Sequence, residues 1–398
     1  MYIEPDFIDP LVVNHPLTQK LHKQPYQICT KTVMDTSDPW ITFDEAGVCN
    51  YVNTYNEWDK TQRIKGVAAQ QKLDEISSFL RKEGKGKDYD CIMGLSGGVD
   101  SSYMCHFVTK VLGLRALVVH VDTGWNSELA VNNIQNIVQK LNLDLHTLVI
   151  DWEEMRDLQL SYFKSGIANM DVPQDHCFVA SLYQEAEKYN IKYIMNGGNM
   201  ATESILPPAW GYDANDTTNL LAIHKKYGSK SLKSFPLVSF YKSLFWYPYV
   251  KKMQVIRPLE YIDYNKKDVK DFLIKELGWR DYGGKHYESK FTKFFQAYYL
   301  PTKFGYDKRK AHFSSLIVSG QMTREDALEE INLPLYDPVE LEEDKIYFAK
   351  KLGLTMDEYL AIMSSPTSEF SDFPNDVIRK ERMRKYFRIL KRIRLDRK

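Results

Sequence analysis

Cys91-Ile92-Met93-Gly94-Leu95-Ser96-Gly97-Gly98-Val99-Asp100-Ser101-Ser102 is the stretch whose reading decides the fold. Apolar residues of a buried strand run into two adjacent glycines, and a Ser/Asp cluster follows at the head of a helix. Glycine lets backbone approach an anion without a side-chain clash, and a helix N-terminus offers free N–H groups with partial positive charge. The turn is therefore built to hold phosphate on Gly97 and Gly98, with the hydroxyls of Ser96, Ser101 and Ser102 adding hydrogen bonds. Asp100, at the loop–helix junction, is expected to serve the site rather than the core. Neither G-x-x-x-x-G-K-[ST] nor G-x-G-x-x-G describes this loop, so the two best-known nucleotide fingerprints are excluded.

Outward from the loop, strand character at 89–95, 115–121, 145–150 and 192–195 alternates with helical character at 101–112, 128–141 and 180–189. Such alternation predicts an α/β fold with parallel strands joined by right-handed crossovers. Ligands of open parallel sheets bind beyond the carboxyl ends of the strands, so the tip His120-Val121-Asp122 should lie beside the phosphate loop. Asn196-Gly197-Gly198-Asn199, with Glu203, should reach the same rim. Residues 1–60 are rich in Pro, Asp, Thr and Asn and read as a small loop-rich module, followed by a helix over 66–82. The α/β domain then spans 61–265. Beyond it, over 266–398, the periodicity turns helical and aromatic residues are dense (Phe291, Phe294, Phe295, Tyr298, Tyr299).

The chain has 398 residues, 43% hydrophobic and 27% charged, which excludes a disordered or fibrous protein. Fifty-three basic residues balance 53 acidic ones, so any pull toward nucleic acid or membrane must be local. Five scattered cysteines do not make a disulfide framework, and the acidic, proline-containing start is unlike a secretory signal. A cytoplasmic protein is expected.

The S-G-G-x-D-S loop resembles that of the N-type ATP pyrophosphatases (PP-loop enzymes), which implies an adenine nucleotide alpha hydrolase-like core. It also implies ATP with Mg²⁺ as cofactors, an α-phosphate open to attack, AMP and pyrophosphate as products, and the residues around Asp122 facing the nucleoside. Longer words carry a narrower resemblance: 29–39, 41–45, 47–49, 120–129, 171–176, Gly197-Gly198-Asn199 with Glu203, and Lys285 to Thr292. These are similar to the bacterial N-acetyl sugar amidotransferases of the WbpG/PseA group. The resemblance implies conversion of the acetamido group of a nucleotide-linked sugar to acetamidino, for surface-polysaccharide or flagellar-glycan precursors. Asp175, Gly198, Asn199 and Glu203 are then candidates to face the sugar. Lys285 or Arg309 would neutralise phosphate charge, and His286 or Glu288 would orient ammonia or the amide. These residues could equally form a solvated face.

No cysteine sits in a glycine-flanked elbow and position 2 is Tyr, so no glutaminase nucleophile is evident. The resemblance implies separate partners, like the glutaminase and cyclase-barrel subunits of imidazole glycerol phosphate synthase. Family members carry C-x-x-C twice in the N-terminal module; here Thr32 and Val52 replace the second thiol of each pair, leaving Cys29 and Cys49. No metal site is expected there unless His15 or His22 folds in. Cys177, expected just ahead of a helix, reads as buried filler. The tail from Arg379 holds eleven Lys or Arg against Glu381 and Asp396, with Met383, Phe387, Leu390 and Ile393 on one helical stripe. A helix docked on the body, a membrane or acidic-partner contact, and RNA binding all remain open for it. A tRNA-modifying enzyme with the same loop is the alternative function. Neutral overall charge and the absence of a paired C-x-x-C stand against it. A non-enzymatic ATP-binding scaffold would require a defective loop, and this one is intact.

Overall fold

The computed structural model describes residues 25–284 and 287–383. Five strands, β1 (Cys91–Gly94), β2 (Ala116–Asp122), β3 (Asp144–Val149), β4 (Tyr193–Met195) and β5 (Gln254–Ile256), form one sheet in the order β3-β2-β1-β4-β5. Every pairing is parallel. The chain winds outward from β1 to β3 and then returns to the other side of β1. The order thus reverses between β1 and β4, and their carboxyl ends splay into a crevice.

Alternation along the strands divides the core. Ile92, Leu117 and Val119 face one apolar cluster with Trp125, Phe163 and Tyr299. Met93 and Val118 face the other, with Leu80, Ile134 and Trp279. A sheet buried on both faces needs this double supply of apolar side chains. The helix Glu128–Leu141 has the expected bounds: Ser127 accepts the Ala130 N–H at its start, and Asn142 turns left-handed at its end.

Several elements escape sequence reading, among them the helices Asn50–Thr61, Trp152–Ser165 and Thr217–Tyr227 and the strand β5. The helix Trp152–Ser165 buries Glu154, Asp157, Gln159 and Ser161 together with Met155, Leu158, Tyr162 and Phe163, so no polar stripe marks it. Those acids have work inside: Glu154 accepts the backbone N–H groups of Lys233, Ser234 and Phe235, and Asp157 accepts those of Ser229 and Lys230. Strand β5, at three residues, is too short to show a period. One element is longer than expected. The helix before β4 runs Val172–Lys188, with proline in its first turn, so Asp175, His176 and Cys177 lie on it rather than ahead of it. Cys177 is fully buried and burial pushes its thiol up to about 12, as suits filler.

After β5 the described residues are helical, and Phe291, Phe294, Phe295 and Tyr299 join the first sheet-facing core. The N-terminal segment also leans on distant chain. Cys29, Met34, Ile41 and Cys49 pack against Ile205, Trp210 and Ala311, and Arg324 donates to the carbonyls of Cys29 and Thr32. The Thr32 hydroxyl lies 3.8 Å from the Cys49 sulfur, and the Cys49 N–H points at the Cys29 sulfur at 3.3 Å. No group of three or more His, Cys, Asp or Glu forms a metal cluster among the described residues, and His15 and His22 lie outside them. No helix of the described residues is long and apolar enough to cross a membrane.

Candidate active site

The phosphate loop closes on itself before it meets a ligand. Ser96 Oγ accepts the Gly98 N–H (3.2 Å) and lies 3.1 Å from Ser101 Oγ, which donates to the Gly98 carbonyl (3.2 Å). Gly97 sits at φ +83°, and a Cβ there would stand 2.8 Å from the Ala130 carbonyl oxygen of the neighbouring helix. Its own carbonyl accepts Trp279 Nε1 at 2.8 Å. Close backbone approach, not contact with a ligand, therefore demands this glycine. The Val99 N–H is met by the Tyr282 hydroxyl at 3.3 Å, and the Tyr264 hydroxyl donates to Asp100 Oδ1. Burial and the Asp100 charge push the Tyr264 phenol up, so it stays a donor. Neither tyrosine is signalled by the loop sequence. Ser102 corrects an expectation: it is fully buried behind the helix and does not line the crevice.

The crevice holds about 930 Å³, at the top of the roughly 300–1,000 Å³ range of small-molecule sites. Ser96, Gly98, Asp100 and Ser101 line it, together with Gly198 and Glu203. His120 is wedged at the rim, Nδ1 at 3.0 Å from the Leu95 carbonyl and Nε2 at 3.1 Å from Asn126 Nδ2. These contacts suit a ring that donates from Nδ1 and accepts at Nε2. Asp122 takes a different part from that expected. It accepts the Gly124 N–H (2.8 Å) and the Asn126 amide (3.2 Å), shaping the turn after β2 without lining the crevice. Asn199 likewise points inward as the cap of the helix Met200–Glu203, accepting the Thr202 N–H at 3.0 Å. Asn196, three residues earlier, takes the crevice position.

Asp175 projects into the crevice from the first turns of the helix Val172–Lys188. The residue is exposed at the crevice. Loss of water pushes its carboxyl well above the usual range; Asp171 adds to this and Lys308 opposes it. Asp171 itself is pinned by the Thr292 hydroxyl (2.8 Å) and the Gln174 amide, and Gln174 by the Thr123 hydroxyl (2.7 Å). Because the unfolded chain releases this proton first, Asp175 lowers stability progressively as pH rises from the ordinary carboxylate range to its raised folded value. Asp175→Asn should therefore gain in melting temperature over the parent as pH goes from about 4 to about 8. A gap that stays flat across that range would show that Asp175 ionises normally.

Among the charged candidates, Arg309 is committed elsewhere. Its guanidinium N–H groups go to Asp307 and to the carbonyls of Glu330, Ile331 and Leu333, so it staples one crevice wall rather than offering a fork to phosphate. Lys308 beside it lines the crevice and acts on Asp175. Lys285 and His286 lie outside the described residues. Glu288 follows them on a segment fixed to the β2 tip: Ser127 N–H donates to the Glu288 carbonyl (2.9 Å) and Lys290 N–H to the Trp125 carbonyl (3.0 Å). A Cβ on Gly98 would stand 3.0 Å from Glu288 Oε1, so this carboxylate overhangs the phosphate loop.

Residues 288–388 match the family model described as LPS biosynthesis protein WbpG-like, C-terminal domain. Residues 90–198 match that of the phosphoadenosine phosphosulfate reductase domain. The chain carries a WbpG-like C-terminal domain behind a PP-loop domain. The WbpG-like match begins at Glu288 and includes Glu288, Thr292 and Lys308 of the crevice lining, while the other match includes Ser96, Gly98 to Ser101, His120 and Asp175. Among curated proteins, the chain is similar to the glutamine-hydrolyzing GMP synthase of Thermosipho africanus, 26% identical over 37% of this chain and 28% of that one. It is also similar to the glutamine-hydrolyzing GMP synthase of Sulfurimonas denitrificans, 28% identical over 34% of this chain and 27% of that one. The matched stretch thus spans less than a third of the length of those relatives. Among solved structures, the NH3-dependent NAD synthetase of Campylobacter jejuni overlaps 67% of this chain and 97% of its own. At 16% identity and a TM-score of 0.30, that superposition is too loose to speak for function.

Proposed function

We propose that this chain is an ATP-dependent, AMP- and pyrophosphate-forming C–N ligase that converts the acetamido group of a nucleotide-linked sugar to acetamidino. The observation that carries the reading is the shared crevice: a phosphate loop forms one side and the WbpG-like domain overhangs it through Glu288.

An amide carbonyl resists ammonia because resonance weakens the electrophile and oxide cannot leave. In the proposed reaction the acetamido oxygen attacks the α-phosphorus, the α–β bond breaks and pyrophosphate departs. Ammonia then adds to the activated carbon, AMP leaves with the former amide oxygen, and the added nitrogen gives up a proton. Ser96, Gly98 and Ser101 would hold the departing phosphates through backbone N–H groups and hydroxyls. His120 would border the nucleoside. Asp175, Gly198 and Glu203 would meet the sugar. Mg²⁺ is bound by one or two carboxylates together with substrate phosphates, and Asp100 and Glu203, both in the crevice lining, would be the carboxylates to hold it. When bound, it neutralises charge on the phosphate oxygens. Ammonia would come from a separate glutaminase with a cyclase-like partner, and the product would enter lipopolysaccharide or flagellar-glycan synthesis.

The test is incubation with ATP, ammonium and UDP- or CMP-linked acetamido sugars, followed by mass spectrometry. The sugar should lose one mass unit as oxygen gives way to NH, and ¹⁸O placed in the acetamido group should appear in AMP. Formation of ADP, or AMP release indifferent to every sugar, would overturn the reading.

A further inference from the structure

Three hydroxyl oxygens stand on N–H groups of the phosphate loop. Ser101 Oγ accepts the Ser96 N–H (3.3 Å), Ser96 Oγ the Gly98 N–H (3.2 Å) and Tyr282 Oη the Val99 N–H (3.3 Å). The two serines belong to the loop, whereas the tyrosine lies 183 residues beyond Val99. Its ring packs on Trp279 with 5.4 Å between centroids, a contact that phenylalanine would make as well, so packing does not call for the oxygen.

A fixed arm delivers that hydroxyl. The helix Lys266–Leu277 ends at Gly278 in the left-handed region, and the chain from there to Tyr282 is bolted to the helix Glu128–Leu141 and to the loop. Asn136 donates to the Gly278 carbonyl, and the fully buried Asn133 both accepts the Arg280 N–H and donates to the Arg280 carbonyl, each at 2.8 Å. Trp279 Nε1 reaches the Gly97 carbonyl at 2.8 Å, while Asp281 pairs with Lys270 and accepts the Gly283 N–H at 3.1 Å. Tyr282, on this arm, lines the crevice.

There it borders the space that Gly98 leaves open. A Cβ on Gly98 would meet Glu288 Oε1 at 3.0 Å, Ser96 Oγ at 3.2 Å and Tyr282 Oη at 3.4 Å, so two hydroxyls and a carboxylate surround one point. A carbonyl oxygen in place of Tyr282 would satisfy Val99 equally, yet it would repel an anion. A hydroxyl differs, because accepting the Val99 N–H leaves its own proton to give. Burial and the charges of Glu288 and Asp100 push the phenol up, so the proton stays on it.

We propose that Tyr282 is a phosphate-binding residue of this crevice: its hydroxyl holds the place of a phosphate oxygen at the head of the helix Val99–His106 and, when the triphosphate enters, yields the Val99 N–H to it and donates its own proton to the same group. The inference rests on the assignment of ATP to the crevice and adds to it a group from outside the loop.

Binding of ATP, inorganic pyrophosphate and AMP to the full chain would be measured by titration calorimetry for the parent and for Tyr282→Phe. ATP and pyrophosphate should each bind about tenfold more weakly to the variant, the scale of one hydrogen bond to a charged group, while AMP affinity and the unfolding temperature stay near the parent's. A second variant, Tyr282→3-fluorotyrosine, keeps the hydroxyl; its ¹⁹F resonance should move when pyrophosphate is added and stay in place with AMP. Unchanged or tighter binding of ATP and pyrophosphate to Tyr282→Phe would show that the hydroxyl merely occupies the Val99 N–H, and would overturn the proposal. So would a loss shared equally by AMP, or a ¹⁹F signal indifferent to pyrophosphate. A parent chain that binds neither ATP nor pyrophosphate would instead overturn the ATP assignment, and the proposal with it, so the two failures are told apart.

Discussion

Asp100→Asn is expected to lower AMP formation by about 10³-fold or more, the scale for removing a charged group that acts on a transferring phosphoryl. The side chain stands in the first turn of the helix Val99–His106, lines the crevice and is gripped by the Tyr264 hydroxyl. Asparagine keeps an acceptor for that hydroxyl and keeps the shape. Stability should therefore fall by no more than about 1 kcal/mol, the worth of an acidic residue at a helix start. Steady-state AMP release and thermal unfolding, measured on the same preparation, separate the two effects. If the carboxylate were merely a repulsive neighbour of the phosphates, the variant would bind ATP more tightly and turn over at least as fast, and the assignment of Asp100 would fail. Tyr264→Phe should cost less, about tenfold, because it loosens Asp100 without removing it.

Gly97→Ala is expected to damage fold and site together. At φ +83° an L-residue is strained, and the new methyl would lie 2.8 Å from the Ala130 carbonyl, which belongs to the backbone of a packed helix and cannot swing aside. Strain plus overpacking should cost about 2–4 kcal/mol and pull Gly97 away from Trp279. Gly98→Ala is the contrasting case. Its φ is an ordinary −72°, and the nearest atoms to an added Cβ are the side-chain ends of Glu288, Ser96 and Tyr282. It should unfold near the parent temperature yet bind ATP weakly, because its methyl would enter the space that phosphate needs. Equal losses of stability in the two variants would contradict this account of the loop.

Legibility varied with how locally each feature is encoded. The phosphate loop, the helix Glu128–Leu141 and the parallel α/β class could be read because strand, glycine pair, cap residues and period-3.6 stripe all lie within a few neighbouring residues. Whether a polar residue near the loop faces a ligand is not encoded that way. Asp122, Asn199 and Arg309 have the chemistry of site residues, but each is spent on backbone groups: a turn, a helix cap and a set of carbonyls. Asn196, Lys308 and Tyr282 took those places, the last two brought in from far along the chain, and Tyr264 stands behind them on Asp100.

From its own order of residues this protein is committed to a glycine-paired bend between a strand and a helix, since glycine freedom and helix-end polarity act over one or two turns of chain. Folding decided where the crevice opens, because the reversal of strand order between β1 and β4 is a property of the assembled sheet. Folding also sets the surroundings that push the Asp175 carboxyl up. The push comes from the protein packed around it and from Asp171, which the helical conformation holds one turn away, while the crevice leaves the residue open to solvent.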